Sequence, residues 1–191
     1  WCVVYIATIT YGAVIVPIMQ TFTSNDIAHI VNHSGSRLLF LTDSYWEGLD
    51  EDSLPEVEAV FSLTDYHALF EREGNKLTKF ENSMTENYRK RFPNGFTVND
   101  IKYAEVPNDA LMVLSYTSGT TGYSKGVMLT VNNLTANVYY AVTKINSTTK
   151  QHWFQKGRRT LAFLPLAHAF GCAFDFLAPL DAGGHINLLG K

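Results

Sequence analysis

The sequence predicts an α/β fold, a mostly parallel sheet layered with helices, and three observations carry that prediction. Helix-period segments alternate with short apolar runs toward both ends of the chain, the pattern of strands joined by crossover helices. The 191 residues are 46% hydrophobic and 17% charged, enough apolar material for one sizeable core and no signature of disorder. Finally, the apolar run 110–114 empties into Tyr116-Thr-Ser-Gly-Thr-Thr-Gly-Tyr-Ser-Lys-Gly126. That is a buried strand entering a loop that exposes its backbone.

In order, residues 1–11 place Trp1, Val4, Tyr5 and Thr8 on one helical face, and Gly12 stops the helix. Residues 13–16 are a β-branched run ended by Pro17, read as a short buried strand. Thr23 or Ser24 caps the next helix, Asp26 favours its first turn, and Ile27, Ile30 and Val31 form its apolar stripe. His33-Ser-Gly35 ends it, residues 38–41 form the next buried strand, and Thr42-Asp-Ser44 is another capping stretch.

From about 47 to 109 the chain turns more polar and variable, acidic first and basic later, and this reads as solvated faces. Residues 57–63 are a strand candidate inside it, while 65–71 and 81–91 read as helices. Beyond the glycine-rich loop, residues 126–129 form a strand that pairs back alongside 111–116. Thr130 caps a helix whose apolar face includes Leu134, Val138, Ala141, Val142 and Ile145. A polar connection, 146–159, leads to a strand at 160–164, a loop holding His168, a helix at 170–180 and a final strand at 185–189.

The glycine-rich loop points to a polyphosphate cradle. Gly119 and Gly122 permit close backbone approach to a ligand. Thr117, Ser118, Thr120 and Thr121 supply hydroxyl donors. Lys125 adds a positive charge, worth about 4 kcal/mol against a unit negative charge about 4 Å away at an effective dielectric near 20. Two common phosphate loops are excluded. G-x-x-x-x-G-K-[ST] fails because Ser124 and Gly126 stand where glycine and a hydroxyl residue are required, and G-x-G-x-x-G fails at Thr121.

The formal net charge of −3 and pI near 6.1 lack the basic footprint of a nucleic-acid binder. Cys2 and Cys172 form no CxxC pair and read as free thiols in a reducing compartment. Residues 1–19 carry no charge and are about long enough to span a bilayer. Thr8, Thr10, Gly12 and Pro17, with no basic flank or cleavage site, favour a buried helix and strand instead. The chain lacks an initiating Met and stops just after a strand, so it reads as a piece of a longer protein.

The string YTSGTTGYSKGV at 116–127 resembles the phosphate loop of the adenylate-forming (AMP-binding) superfamily at nearly every position, with Ser124 where that family most often has Pro. Phe163-Leu-Pro-Leu-Ala-His-Ala-Phe-Gly171 is similar to the family's acyl-pocket segment. Gly12-Ala-Val-Ile-Val-Pro17 with Ser24-Asn-Asp26 resembles its N-terminal region. Val131 departs from a His that many relatives carry. The Leu-Pro-Leu-Ala-His wording looks most like long-chain fatty acid–CoA ligases.

The resemblance implies a piece of the family's large N-terminal domain, spanning 1–191, with a downstream C-terminal domain bearing a catalytic Lys. It implies ATP-dependent activation of a carboxylic acid, a fatty acid by the wording, followed by transfer to CoA. On that reading Thr117, Ser118, Gly119, Thr120, Thr121 and Gly122 wrap the β- and γ-phosphates, and Lys125 neutralises the leaving pyrophosphate. Thr117 also holds Mg²⁺, together with a Glu beyond this chain, and His168 borders the carboxylate site. Phe170 and Phe174 line an acyl tunnel or are plain core.

The partners are then the acid, ATP and CoA, with no nucleic acid, in the cytoplasm or peripherally at the inner face of a membrane. The piece alone is expected to be inactive and to self-associate through exposed edges. Two other readings stay open, an adenylation domain loading a carrier-protein thiol and a non-catalytic relative that keeps the fold as a binding module. The bland counterparts are a surface lysine at 125, turn hydroxyls at 120 and 121, and a structural histidine at 168.

Overall fold

The computed structural model describes residues 1–72, 77–117, 124–148 and 152–189. They form two compact units, one of residues 1–12 and 22–105, the other of 13–21 and 106–191.

The first unit opens with α1 (Cys2–Tyr11), closed by Gly12 in the left-handed region at φ 85°. Its hydroxyls stay inside the helix by bonding backwards, Thr8 to the Val4 carbonyl and Thr10 to that of Ile6, both at 2.7 Å. Tyr5 is fully buried and stacks on Trp1 at 4.9 Å. The helix α2 (Ser24–Ser34) starts from Thr23 in a capping box with Asp26 and buries Ile27, Ile30 and Val31.

Three strands follow. β1 (Leu38–Leu41) pairs parallel with β2 (Ala59–Ser62), which pairs antiparallel with β3 (Ala68–Glu71). The short helix α3 (Asp43–Trp46) follows β1. Residues 65–71, expected as a helix, are a turn and a strand. Ser62 decides this: its carbonyl takes the Tyr66 N–H at 3.1 Å and its hydroxyl the Thr64 N–H at 3.1 Å. That turn swings the chain back so that ladder bonds to β2 replace helical ones. Arg72 then ties the strand end down, donating to the Val57 and Leu54 carbonyls at 2.9 Å each. The helix α4 covers Leu77–Arg91.

The second unit is built on the antiparallel pair β4 (Leu111–Thr117) and β5 (Lys125–Thr130). Residues 13–16 do not form the expected strand. They make a single parallel bridge, Ile15 to Val113, because Pro17 has no N–H with which to extend the ladder.

After β5, Thr130 caps α5 (Val131–Tyr139), which runs into a π-helical turn, Tyr140–Ile145, and the short α6 (Asn146–Thr148). β6 (Arg159–Ala162) and β7 (His185–Leu188) pair in parallel. Between them lie a second π-helical segment, Gly171–Leu177, and α7 (Ala178–Asp181). Met112, Val113, Tyr116, Ala141, Ala162, Cys172 and Phe176 are buried in this unit. Among the described residues no helix is long and apolar enough to cross a membrane, and Cys2 and Cys172 are free thiols.

Candidate functional site

The β4–β5 hairpin places the two ends of the glycine-rich loop side by side. Thr117 and Lys125 are register partners, with Tyr116 opposite Gly126 one step below. Opposed residues of an antiparallel pair hold their Cβ atoms about 4.5–5.5 Å apart, so one ligand can meet both the hydroxyl and the ammonium. Both side chains are exposed at the mouth of the loop. Ser118, Gly119, Thr120, Thr121 and Gly122 lie outside the described residues.

The stem beneath is tightly packed. Tyr116 is buried, and burial pushes its phenol pKa up. A Cβ on Gly126 would stand 3.0 Å from Leu114 Cδ1 and 3.2 Å from Tyr116 Cζ. Glycine there lets the Tyr116 ring lie over the neighbouring strand.

His168 sits in the loop after β6. Its N–H donates to the Pro165 carbonyl and its carbonyl accepts from Cys172 N–H, both at 2.9 Å. The Phe170 N–H donates to His168 Nδ1 at 3.2 Å. In that bond Nδ1 is the acceptor, which orients the ring against the backbone of its own turn. The ring itself is exposed.

Beside this loop is a cavity of about 610 Å³, walled by rings that include Tyr140, Trp153, Phe163, Phe170 and Phe174. Phe170 and Phe174 pack at 4.7 Å. The structure thus places these two phenylalanines on a cavity wall, as the tunnel reading expects. It does not place His168 on that wall.

The sequence reading missed the part of the lining made by Tyr140, Ile145 and the loop around Trp153. A π-helix bonds residue i to i+5 and so stacks such pairs on one face. Tyr140 with Ile145, and Phe170 with Asp175, are both i,i+5 pairs that reach the cavity. Helix-period analysis separates those positions, and no sequence signal announced the change of winding.

The hairpin and the cavity share a neighbour, since α5 packs on both β5 and the second π-segment. No group of three His, Cys, Asp or Glu among the described residues can hold a metal by itself. The donor set at the loop mouth suits a cation that binds one protein hydroxyl and takes its other oxygens from phosphates and water, as Mg²⁺ does.

A family model described as AMP-binding enzyme matches residues 1–191. Over 93% of its length the chain is 25% identical to a long-chain-fatty-acid–CoA ligase of Escherichia coli, covering 33% of that protein. Over 41% of its length it is 42% identical to a sulfoacetate–CoA ligase of Cupriavidus necator, covering 14% of it. The crystal structure of the anthranilate CoA ligase AuaEII, in complex with anthranoyl-AMP, superposes with a TM-score of 0.71 at 19% identity, over 97% of this chain and 32% of that one. The chain therefore spans about a third of the long-chain ligase and of the superposed structure.

Proposed function

The chain belongs to the AMP-binding enzyme family, and from that premise we propose that the whole protein activates a fatty acid with ATP and passes the acyl group to CoA. The observation that carries the choice of acid is the cavity of about 610 Å³ with aromatic walls beside the His168 loop. Burying apolar surface is worth about 25 cal/mol per Å², so a long acyl chain gains from those walls what a small polar acid does not.

The chemistry runs in two balanced steps. A carboxylate oxygen attacks the α-phosphorus of ATP, the bond to the bridging oxygen breaks, and pyrophosphate leaves with that electron pair. The thiol sulfur of CoA then attacks the acyl carbonyl, AMP leaves, and the thiol proton goes to solvent or a base. Phosphoryl-type transfer of this kind is governed by positioning and charge neutralisation.

Lys125, fixed opposite Thr117 by the β-ladder, holds its ammonium against the phosphates that leave. Ser118, Gly119, Thr120, Thr121 and Gly122 stand between these two residues in sequence, and we assign them to the β- and γ-phosphates. Bound Mg²⁺ supplies charge neutralisation on the phosphate oxygens, and Thr117 is the hydroxyl that would hold it. We assign His168, whose Nδ1 accepts the Phe170 N–H, to the border of the carboxylate site. Free thiols at Cys2 and Cys172 suit a reducing compartment, and we place the enzyme in the cytoplasm.

The test is ATP–pyrophosphate exchange by the whole protein with acids of increasing chain length. Exchange should rise with chain length, and Lys125→Met should lower it about 100-fold, the scale of losing one charge-stabilising group. The 191-residue chain alone should give none. Exchange confined to short polar acids would overturn the fatty-acid reading.

A further inference from the structure

The cavity's least expected wall is the loop from His152 to Arg158, and the structure shows what holds it. The Asn146 side chain docks on the Phe154 backbone with both ends of its amide. Its Oδ1 accepts the Phe154 N–H at 2.9 Å, and its Nδ2 donates to the Phe154 carbonyl. This is the bonding of a β-bridge, made by a side chain. Asn146 caps the π-helical turn Tyr140–Ile145, so the amide joins one cavity wall to another.

Further along, Gly157 N–H bonds the Gly183 carbonyl at 2.9 Å, and the Arg158 carbonyl accepts His185 N–H at 2.7 Å. The loop is thus pinned at Phe154 and again at Gly157 and Arg158. Two residues before the first pin, His152 takes φ 45°, an unusual conformation for a residue with a Cβ. The Arg158 guanidinium lies 5.6 Å from the centre of the Trp153 ring, and both residues line the cavity.

We propose that Trp153 is a specificity-determining residue for the acyl group, and that Asn146 is the positioning residue that fixes it through Phe154. This rests on the reading of the cavity as the acyl site. Trp153 lines the same cavity as Phe170 and Phe174 and contributes a large ring to it. Its position decides how long and how wide an acid the cavity accepts. Aspartate at 146 keeps the acceptor for Phe154 N–H but turns a carboxylate oxygen onto the Phe154 carbonyl. One bond is then lost and replaced by repulsion, with side-chain size unchanged.

The experiment uses the 191-residue chain with Trp1→Phe and Trp46→Phe, which leaves Trp153 as the single indole of those residues. The probe is cis-parinaric acid, an 18-carbon fluorescent fatty acid, read by energy transfer from Trp153 and displaced by saturated acids of graded length. We expect transfer in this background, and a fall of about 10-fold in affinity with Asn146→Asp, the scale of a lost pocket contact. The preference for long over short competitors should flatten in parallel.

Trp153→Ala, followed by the probe's own emission, should shift that preference toward longer or bulkier acids by a similar factor. A thermal melt of each variant shows that it is folded. Absence of energy transfer in the background chain overturns the proposal. So does a competitor profile unchanged in folded Asn146→Asp and Trp153→Ala. Neither result bears on pyrophosphate exchange, whose loss would instead remove the function reading.

Discussion

Gly171 carries no side chain because the Pro165 carbonyl occupies the space that one would need. A Cβ built there would lie 2.6 Å from Pro165 O and 3.3 Å from the Leu164 Cβ. The nearest obstacle is backbone, so no rotamer change relieves it. That same carbonyl accepts the His168 N–H, and Asp175 Oδ2 takes the Leu164 N–H at 3.4 Å. The close approach therefore sets where the His168 turn stands against the π-segment. Gly171→Ala is expected to cost about 3 kcal/mol, the upper part of the range for overpacking, read as a lower urea midpoint at unchanged slope. An unchanged midpoint would mean that the two segments are not held together here.

At the scale of elements, α2 shows how a local sequence signal becomes a structural device with its own pH dependence. The Thr23 hydroxyl donates to Asp26 Oδ2 at 2.7 Å and the Thr23 N–H does so at 2.9 Å. These bonds, the hydroxyl's foremost, hold the Asp26 carboxyl below its ordinary value. A depressed carboxylate contributes stability that is complete above its unfolded pKa and is lost as pH falls through the folded one. Thr23→Ala should cost about 1 kcal/mol, as N-cap removals do, and should return Asp26 toward its ordinary titration. Carbon-detected NMR of the side-chain carboxyl checks the second point; no movement of its midpoint would sink it.

Caps of this kind are why much of the fold was legible. Thr23, Thr130, Gly12 and Gly35 mark helix ends that the structure reproduces, and β1 lies where its apolar run predicted it. The hairpin around the glycine-rich loop was legible too, because its strands carry the pattern on both sides of the turn. What was not legible depends on non-local or continuous geometry. The strand β3 is decided by Ser62 and by ladder bonds to β2. The second cavity wall is decided by π-winding and by an amide reaching from Asn146 to Phe154, which no residue type announces.

For the molecule as a whole, the governing fact is how much apolar surface the described residues leave uncovered. Parallel strands normally sit in sheets covered on both faces, yet β6 and β7 form a two-stranded sheet. Leu188 and Leu189 are 56% and 69% exposed, and Met128 on β5 is 71% exposed. The strand β5 bonds only β4 among the described strands, so its other edge, beside that methionine, has no described strand against it. Open edges flanked by apolar side chains pair with further copies, and charged residues placed on them suppress this. We therefore expect the 191-residue chain to self-associate, with a weight-average mass in light scattering that rises from low to high micromolar concentration. Met128→Lys with Leu188→Lys should lower that rise while leaving the melting temperature nearly unchanged, since neither side chain is buried. A chain that is monodisperse at every concentration and melts cooperatively would show that these edges are already protected. In the double-lysine variant, persistent association would place the contact on some other face.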